Sequence, residues 1–580
     1  MFMRLRFRFL AVLLATSLVT ALAVVFNSTQ VQSQTAEQQL SASEVTAVMA
    51  AAAGAIDDAG MAVAVVDRGG RILGVYARPG ARQDGFTPDT AVTTARTAAL
   101  FSNKDAPLSS RTIRSISGIH FPPGVPNTPQ AELYGIENSN RGCQLDAADT
   151  APIERTRSIA GSVPMGPRRA CNAADPSGCA IGNAVALTGR ASTRFVGFST
   201  GKNDVLDIGA PLDVPVNPGG FAIYRQGRVI GGVGVAGVSP ERAEFAAFAG
   251  VTQPSLGLSG LSANPLPVPG AVFIDGIRLP FFAECISVGC VEDTIDERLR
   301  TFSRGTFVQG DVLVTGRPGV AVPEGYLIPP RASSVAGSLT LADVQRVIEQ
   351  AVARASVTRA QIRLPLTEPT SMIIAVSDET GDLLAAFRMP DSTIFSFDVA
   401  TTKARNAYFF SSRAGYDVLR SFVDNNPYDD YTWTPDPPAG QGWAMTNRTL
   451  SFGGQPLFPP GIDLEKAPTP GPWFDLFVYD LANPCTEGPG PTRGGNRQYI
   501  NQSGIVWFPG SAPLYKNGRL VGGVGVSGDG VSQDDYVTAG AVAGFEPPPE
   551  LRVDRSVITT SEDAAVRLPY FKFPRNPELR

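Results

Sequence analysis

One histidine, His120, stands in a chain of 580 residues. A single imidazole cannot furnish the mixed Cys and His ligand set of a zinc site, and the six cysteines are not spaced as paired C-x-x-C units. A hydrolase built on Gly197-Phe198-Ser199-Thr200-Gly201 needs a histidine after its serine, and none follows, so acyl transfer is not expected. Basic runs are missing beyond the N-terminus. With Lys+Arg 49 against Asp+Glu 54 and a net charge of −5, the chain has no electrostatic footprint for DNA or RNA, and nucleic acid is not an expected partner. After the first residues, no apolar stretch is long enough to cross a bilayer.

What the chain does contain is the same text twice. Met61 to Pro79 reads MAVAVVDRGGRILGVYARP, and Ser371 to Pro390 reads SMIIAVSDETGDLLAAFRMP. Each is followed by D-x-A-x-x-x-A-R: Asp89, Ala91, Ala95 and Arg96, then Asp398, Ala400, Ala404 and Arg405, at one constant offset. Arg111-Thr112-Ile113 and Phe121-Pro122-Pro123-Gly124 recur as Arg448-Thr449-Leu450 and Phe458-Pro459-Pro460-Gly461, which sets His120 against Leu457. Both copies close on Y-x-x-G-R-[VL]-[IV]-G-G-V-G-V-x-G, from Tyr224 to Gly237 and from Tyr515 to Gly528. Two fused modules are the unit of organisation. A content of 43% hydrophobic and 18% charged residues suffices for two cores. The 60 glycines and 48 prolines crowd between the matched motifs, where long ordered loops are expected.

The expected layout is an export signal or N-terminal anchor over 1–35, a first module with its insert over 38–255 and a linker with a packing arm over 256–335. A second module with its insert follows over 336–548, then a C-terminal packing arm over 549–580. Arg4, Arg6 and Arg8 precede the mostly apolar run Phe9 to Phe26, and Ala21-Leu22-Ala23 offers a cleavage site. The location this implies is extracytoplasmic, periplasmic or secreted, with an uncleaved anchor as the alternative. Six cysteines fit export, and disulfides are the default reading. Cys171 with Cys179 and Cys285 with Cys290 are plausible local pairs, although sequence alone leaves the connectivity open.

Ser41-Ala42-Ser43-Glu44 and Thr340-Leu341-Ala342-Asp343 read as capping boxes that open a helix in each copy. Strands follow at Ala62 to Val66 and Ile72 to Tyr76, and at Met372 to Val376 and Leu383 to Phe387. Second helices run over about 89–101 and 398–410. Gln226-Gly227 and Asn517-Gly518 read as the turns of a final hairpin, the latter a type I′ signal, and a last helix follows. Tight turns pair strands antiparallel, so each module is expected to be an α+β sandwich, a mostly antiparallel sheet with flanking helices. Ile277 to Phe282 echoes Val566 to Phe571; both look like arms packing on the neighbouring module.

The run Val65 to Leu73, the stretch Leu339 to Phe410 and both closing strands resemble the GlcG/HbpS family, the haem-binding-like module also found at the end of PduO-type cobalamin adenosyltransferases. The inserts fall outside that resemblance. It implies a small α+β domain that assembles into oligomers, with haem as cofactor in some members and glycolate or aromatic-lyase metabolism as the setting of others. Here the two modules would form an intramolecular pseudo-dimer, with further self-association as an extension.

Haem needs an apolar slot, donors for its propionates and often an axial ligand. His120, flanked by Ile119, Phe121 and Pro122, is the candidate iron ligand; a structural or merely exposed histidine is the plainer reading. The family-pattern lysine is Lys403 in the second copy and Thr94 in the first. Arg96, Arg405, Arg111 and Arg448 recur and could clamp carboxylates by paired hydrogen bonds, or pair within their module with Asp89 and Asp398. Gly232, Gly234 and Gly237, with Gly523, Gly525 and Gly528, fit G-x-G-x-x-G. Each set ends a hairpin and does not open a βαβ unit, so close backbone packing is expected instead of a dinucleotide. The helix start that follows could still hold an anion. Three readings result: an exported tandem haem-binding or haem-sensing protein, an enzyme acting on a small hydroxy acid or related carboxylate through Lys403 or Asp398, and a non-catalytic interaction module. No catalytic constellation is visible.

Overall fold

The computed structural model describes residues 39–82, 87–117, 132–136, 139–140, 143, 218–262, 272–274, 277–282, 302–314, 316–365, 367–459, 469–482, 485–489 and 501–579. The principal elements of the first half are α1 (Ala42–Ala55), β1 (Ala62–Asp67), β2 (Ile72–Ala77), α2 (Thr87–Phe101), α3 (Ser110–Ser117), β3 (Gly220–Arg225), β4 (Arg228–Ala236), α4 (Pro240–Val251) and β5 (Leu258–Ser259). Two short strands follow, β6 (Val312–Val314) and β7 (Gly325–Ile328). The second half runs α5 (Leu341–Val357), β8 (Ile373–Asp378), β9 (Leu383–Arg388), α6 (Ser396–Ser411), α7 (Arg413–Asp424), β10 (Thr432–Thr434) and α8 (Asn447–Gly453). It continues with β11 (Ser511–Lys516), β12 (Arg519–Ser527), α9 (Val531–Ala541), β13 (Val557–Thr559) and β14 (Ala565–Arg567).

Local chemistry explains the boundaries. Ser41 Oγ accepts from the Glu44 amide while the Glu44 carboxylate accepts from the Ser41 amide, and Thr340 with Asp343 does the same for α5. Gln226 and Gly227 have φ of 48° and 76°, and Asn517 and Gly518 have 53° and 75°. Positive φ at both central residues is the type I′ geometry that matches the twist of the strands it joins.

The first sheet has the order β5-β3-β4-β1-β2-β6 and the second β11-β12-β8-β9-β7, so both share one core order. Every pairing in the two sheets is antiparallel. The fold is α+β. The stretch expected to be a linker does more than connect: β6 pairs with β2 and β7 with β9, adding an edge strand to each sheet.

Alternation along β1 sorts its side chains between two layers. Val63 and Val65 pack with Val45, Val48 and Phe245 of α1 and α4, while Ala62, Ala64 and Val66 meet Ala91, Ala95 and Ala99 of α2. In β8, Ile374 and Val376 face Val344, Val347 and Val537, and Ile373 and Ala375 face Val399, Ala400 and Ala404. The paired glycines now have a mechanical reason. A Cβ on Gly234 would lie 2.1 Å from Ala91 O, and one on Gly525 would lie 2.0 Å from Ala400 O, so α2 and α6 rest directly on the backbone of β4 and β12.

The arms depart from expectation, since each packs chiefly on its own module, and the C-terminal one also reaches across, through Lys572 to Glu132. Thr112 Oγ1 donates to Pro280 O at 2.7 Å, and Thr449 Oγ1 donates to Pro569 O at 2.7 Å. Phe281 and Phe282 close over Phe221, and Leu568 and Tyr570 enter an aromatic core of the second half. The nearest uncovered apolar face belongs to the module just completed, which is why the chain folds back; only Leu279 joins the cluster shared by the two halves. The second insert, unreadable from sequence, builds that aromatic core from all four tryptophans, Trp433, Trp443, Trp473 and Trp507. The halves meet where Phe101 stacks on Phe395, with ring centroids 4.0 Å apart, and Leu100 O accepts from the Ile394 amide.

Candidate functional site

Residue Lys403 lies on the face of α6 that rests on β12, so its side chain is carried inward with no exposure. Its Nζ donates to Val526 O at 2.8 Å and to Asp534 Oδ2 at 2.8 Å, and stands 4.9 Å from the centroid of the Phe508 ring. Asp534 comes from the first turn of α9, where a carboxylate is favoured by the helix dipole. Burial pushes the Asp534 carboxyl up to about 7 and the Lys403 ammonium down, each shift opposed by the charge of the other.

Next to this pair sits a second one. Arg448 binds Asp535 and, at 3.1 Å, Glu132; Lys572 reaches Glu132 at 2.6 Å, and its amide donates to Asp535 Oδ2. Burial raises the Asp535 carboxyl against the pull of Arg448. The first half has the matching contact, Arg111 forking onto Glu244 at 2.7 and 2.8 Å. A third node lies where the halves touch: the buried guanidinium of Arg363 meets Asp105 of the first half at 2.9 Å, Asp391 at 3.0 Å and Asp529, which also accepts from Asn103 Nδ2.

Two small interior cavities flank Phe508. One, about 30 Å3, is walled by Phe101, Phe395 and Ile362 and edged by Asp529 and Asp534. Oδ1 of Asp534, buried, has no hydrogen-bond partner. The other, about 20 Å3, is lined by Asn140, Cys143, Asp398, Thr402 and Trp507. An open concavity of about 540 Å3 elsewhere is lined by Arg552, Arg555, Arg567 and Asp554. Among the described residues no group of His, Cys, Asp or Glu is arranged to hold a metal ion.

The residues singled out by sequence are placed as follows. His120 lies outside the described residues, as do Gly197 to Gly201. Arg96 Nε donates to Gly70 O at 2.7 Å, and Arg405 Nε to Gly381 O at 2.8 Å with Nη1 on Ser503 Oγ, so both hold the turn of their own first hairpin. Arg111 and Arg448 pair with Glu244 and Asp535 on the last helix. None of the four is among the residues lining the interior cavities. Asp89 and Asp398 occupy the first turns of α2 and α6, and Asp398 borders the smaller of the two cavities. The described disulfide is Cys143–Cys485, which joins the two halves; Cys171, Cys179, Cys285 and Cys290 lie outside the described residues. The fold brings the two inserts together across a sequence separation of 342.

Sequence reasoning missed Asp534, Asp535, Glu244, Asp529 and Arg363. A signal for Asp534 was present. Aligned on the closing glycines, Ala243 stands where the second copy has Asp534, just as Thr94 stands for Lys403, so both members of the pair change together.

The family described as "Haem degrading protein HbpS-like" matches residues 475–543, a span that holds β11, β12 and α9. No curated protein matches. Similar solved structures include a PduOC–haem complex, 20% identical, covering 36% of this chain and 96% of that one with a TM-score of 0.20. Another is the Klebsiella pneumoniae protein ORFY, a member of the DUF336 family, 18% identical over 37% of this chain and 94% of that one, also at 0.20. Residues 475–543, in the second half of the chain, are thus similar to the HbpS-like family.

Proposed function

We propose that the protein is an exported, two-module ligand-binding protein of the haem-binding-like class, in which the second module carries the ligand-facing chemistry and the first serves as its covalently attached docking partner. One observation carries this reading. Within the family-matched span, Asp534 forms a buried ion pair with Lys403 at a cavity edge, and the first module has Ala243 and Thr94 in those places. The modules are read as a duplicated pair that replaces a homodimer, and the disulfide between the halves supports an oxidising, extracytoplasmic setting.

Haem is the ligand that the family suggests, and the described interior does not fit it. Slots for large organic ligands run to roughly 300–1,000 Å3, whereas the interior cavities are about 20 and 30 Å3. Carboxylates edge both cavities, which opposes the propionates, and the cysteine lining one of them is held in the disulfide. The carboxylate-enzyme reading lacks its clamps at these cavities, since the four recurring arginines lie elsewhere.

Haemin titration of the full chain, followed by absorption and repeated with His120→Ala, tests the haem assignment. The cavity volumes lead us to expect no saturable Soret shift; a saturable one at one or two equivalents would place haem outside these cavities, and its loss in the variant would assign His120 as ligand. A non-saturating spectrum removes haem as the ligand and leaves a smaller molecule for the second module.

A further inference from the structure

The cavity beside Phe508 has a specific chemical deficit. Its walls are mostly apolar, among them Phe101, Phe395, Phe508 and Ile362, with Phe101 and Phe395 stacked 4.0 Å apart. Most of its polar lining is already engaged. Asn103 binds Asp529, Asp529 also takes the Arg363 guanidinium and the Ser371 amide, and Thr393 and Ser527 each bond Ser396 Oγ. Asp534 differs: Oδ2 takes the Lys403 ammonium while Oδ1, on a residue only 4 % exposed, takes nothing. A buried carboxylate oxygen without a donor costs free energy that a bound donor would recover.

From this we infer that the cavity between the two modules is a binding site for a small primary ammonium, whose N–H donates to Asp534 Oδ1 while its one or two carbons lie against the phenylalanine faces. The volume of about 30 Å3 exceeds what one water needs, roughly 10–15 Å3, and excludes anything much larger. The sign of the charge follows from the Asp534 oxygen and the aromatic walls. Lys403, Arg363, Arg448 and Lys104 face Asp534, Asp529, Asp535, Asp391 and Asp105, and Arg388 and Arg68 stand near Asp391, so the surrounding charges roughly balance and the unpartnered Asp534 oxygen itself selects a donor. Aromatic faces add attraction for a cation and none for an anion. The site belongs to the assembled pair, because Phe101 and Asn103 come from the first module and Asp534 from the second.

The test is thermal unfolding of the full chain at about pH 8.5, above the value of about 7 to which burial pushes the Asp534 carboxyl, in methylammonium chloride, with sodium chloride, sodium acetate and methanol as controls. The expected result is a saturable rise in melting temperature with methylammonium alone. In Asp534→Asn the apparent affinity should fall roughly tenfold or more, the loss of one charge-assisted hydrogen bond. Ile362→Phe, which narrows the cavity and leaves every charge in place, should abolish the shift and decides the matter if Asp534→Asn does not fold. No saturable shift, an equal shift with methanol or sodium chloride, or a shift that survives Ile362→Phe overturns the inference. The readout is independent of the Soret band, so failure here and failure of the haem assignment are distinguishable.

Discussion

The two modules share a strand order, a glycine-on-alanine contact and an arginine pinned to the last helix, yet they part at one pair of positions. Lys403 and Asp534 are bonded and buried in the second module, and Thr94 and Ala243 occupy the same places in the first. Removing one partner of a buried ion pair strands a charge, whereas removing both together leaves a neutral interior. The first module follows the second route. The shared features are therefore those the fold requires, and the differing pair is one that the fold can do without.

The sharpest way to break this comparison is to make the second module resemble the first. Lys403→Met alone should cost about 3–5 kcal/mol in urea unfolding. Lys403→Thr combined with Asp534→Ala should cost at least about 2 kcal/mol less than the sum of the two single changes; strict additivity would show that the pair is not an energetic unit. The shared features should respond equally in both halves. Gly234→Ala and Gly525→Ala each force a methyl into a helix carbonyl, and each should lose about 1–3 kcal/mol or more; a tolerant Gly525 would mean that α6 can lift from β12.

A pH series sharpens the difference. The folded state raises the Asp534 carboxyl from 3.8 to about 7, so it keeps a proton that the unfolded chain has released. Stability contributed by this group is present below about pH 4 and declines as pH rises towards 7, on the order of 1–2 kcal/mol because Lys403 is coupled to it. The Lys403→Thr, Asp534→Ala variant should show a flatter profile over that window, and an unchanged slope would assign the dependence to Asp529 and Asp535 instead. Smallest are the caps: Ser41→Ala and Thr340→Ala should each cost about 1 kcal/mol, read as a shift in urea midpoint. Unequal costs would show that the two helix starts are not equivalent.

Much of the fold was legible because its signals are local. Asn517-Gly518 sets a turn, Ser41 with Glu44 sets a helix start, and a short apolar run bounded by turn residues sets each central strand. The site was less so. Lys403 could be read from the motif, but its partner lies 131 residues away, and Arg448 finds Asp535 at a separation of 87. Carboxylates at the start of a helix are common, so Asp534 carried no mark of its own; only position-by-position comparison of the copies exposes it. The tryptophan core of the second insert was hidden for a different reason: its members come from separated loops with no shared period.

The bond between Cys143 and Cys485 makes the chain a closed ring over most of its length, with a sequence separation of 342. A protease that cuts once between the modules would therefore release nothing. The nicked protein would run as one species until a reductant was added and as two afterwards, so the halves stay together by covalent topology even where the linker is cut.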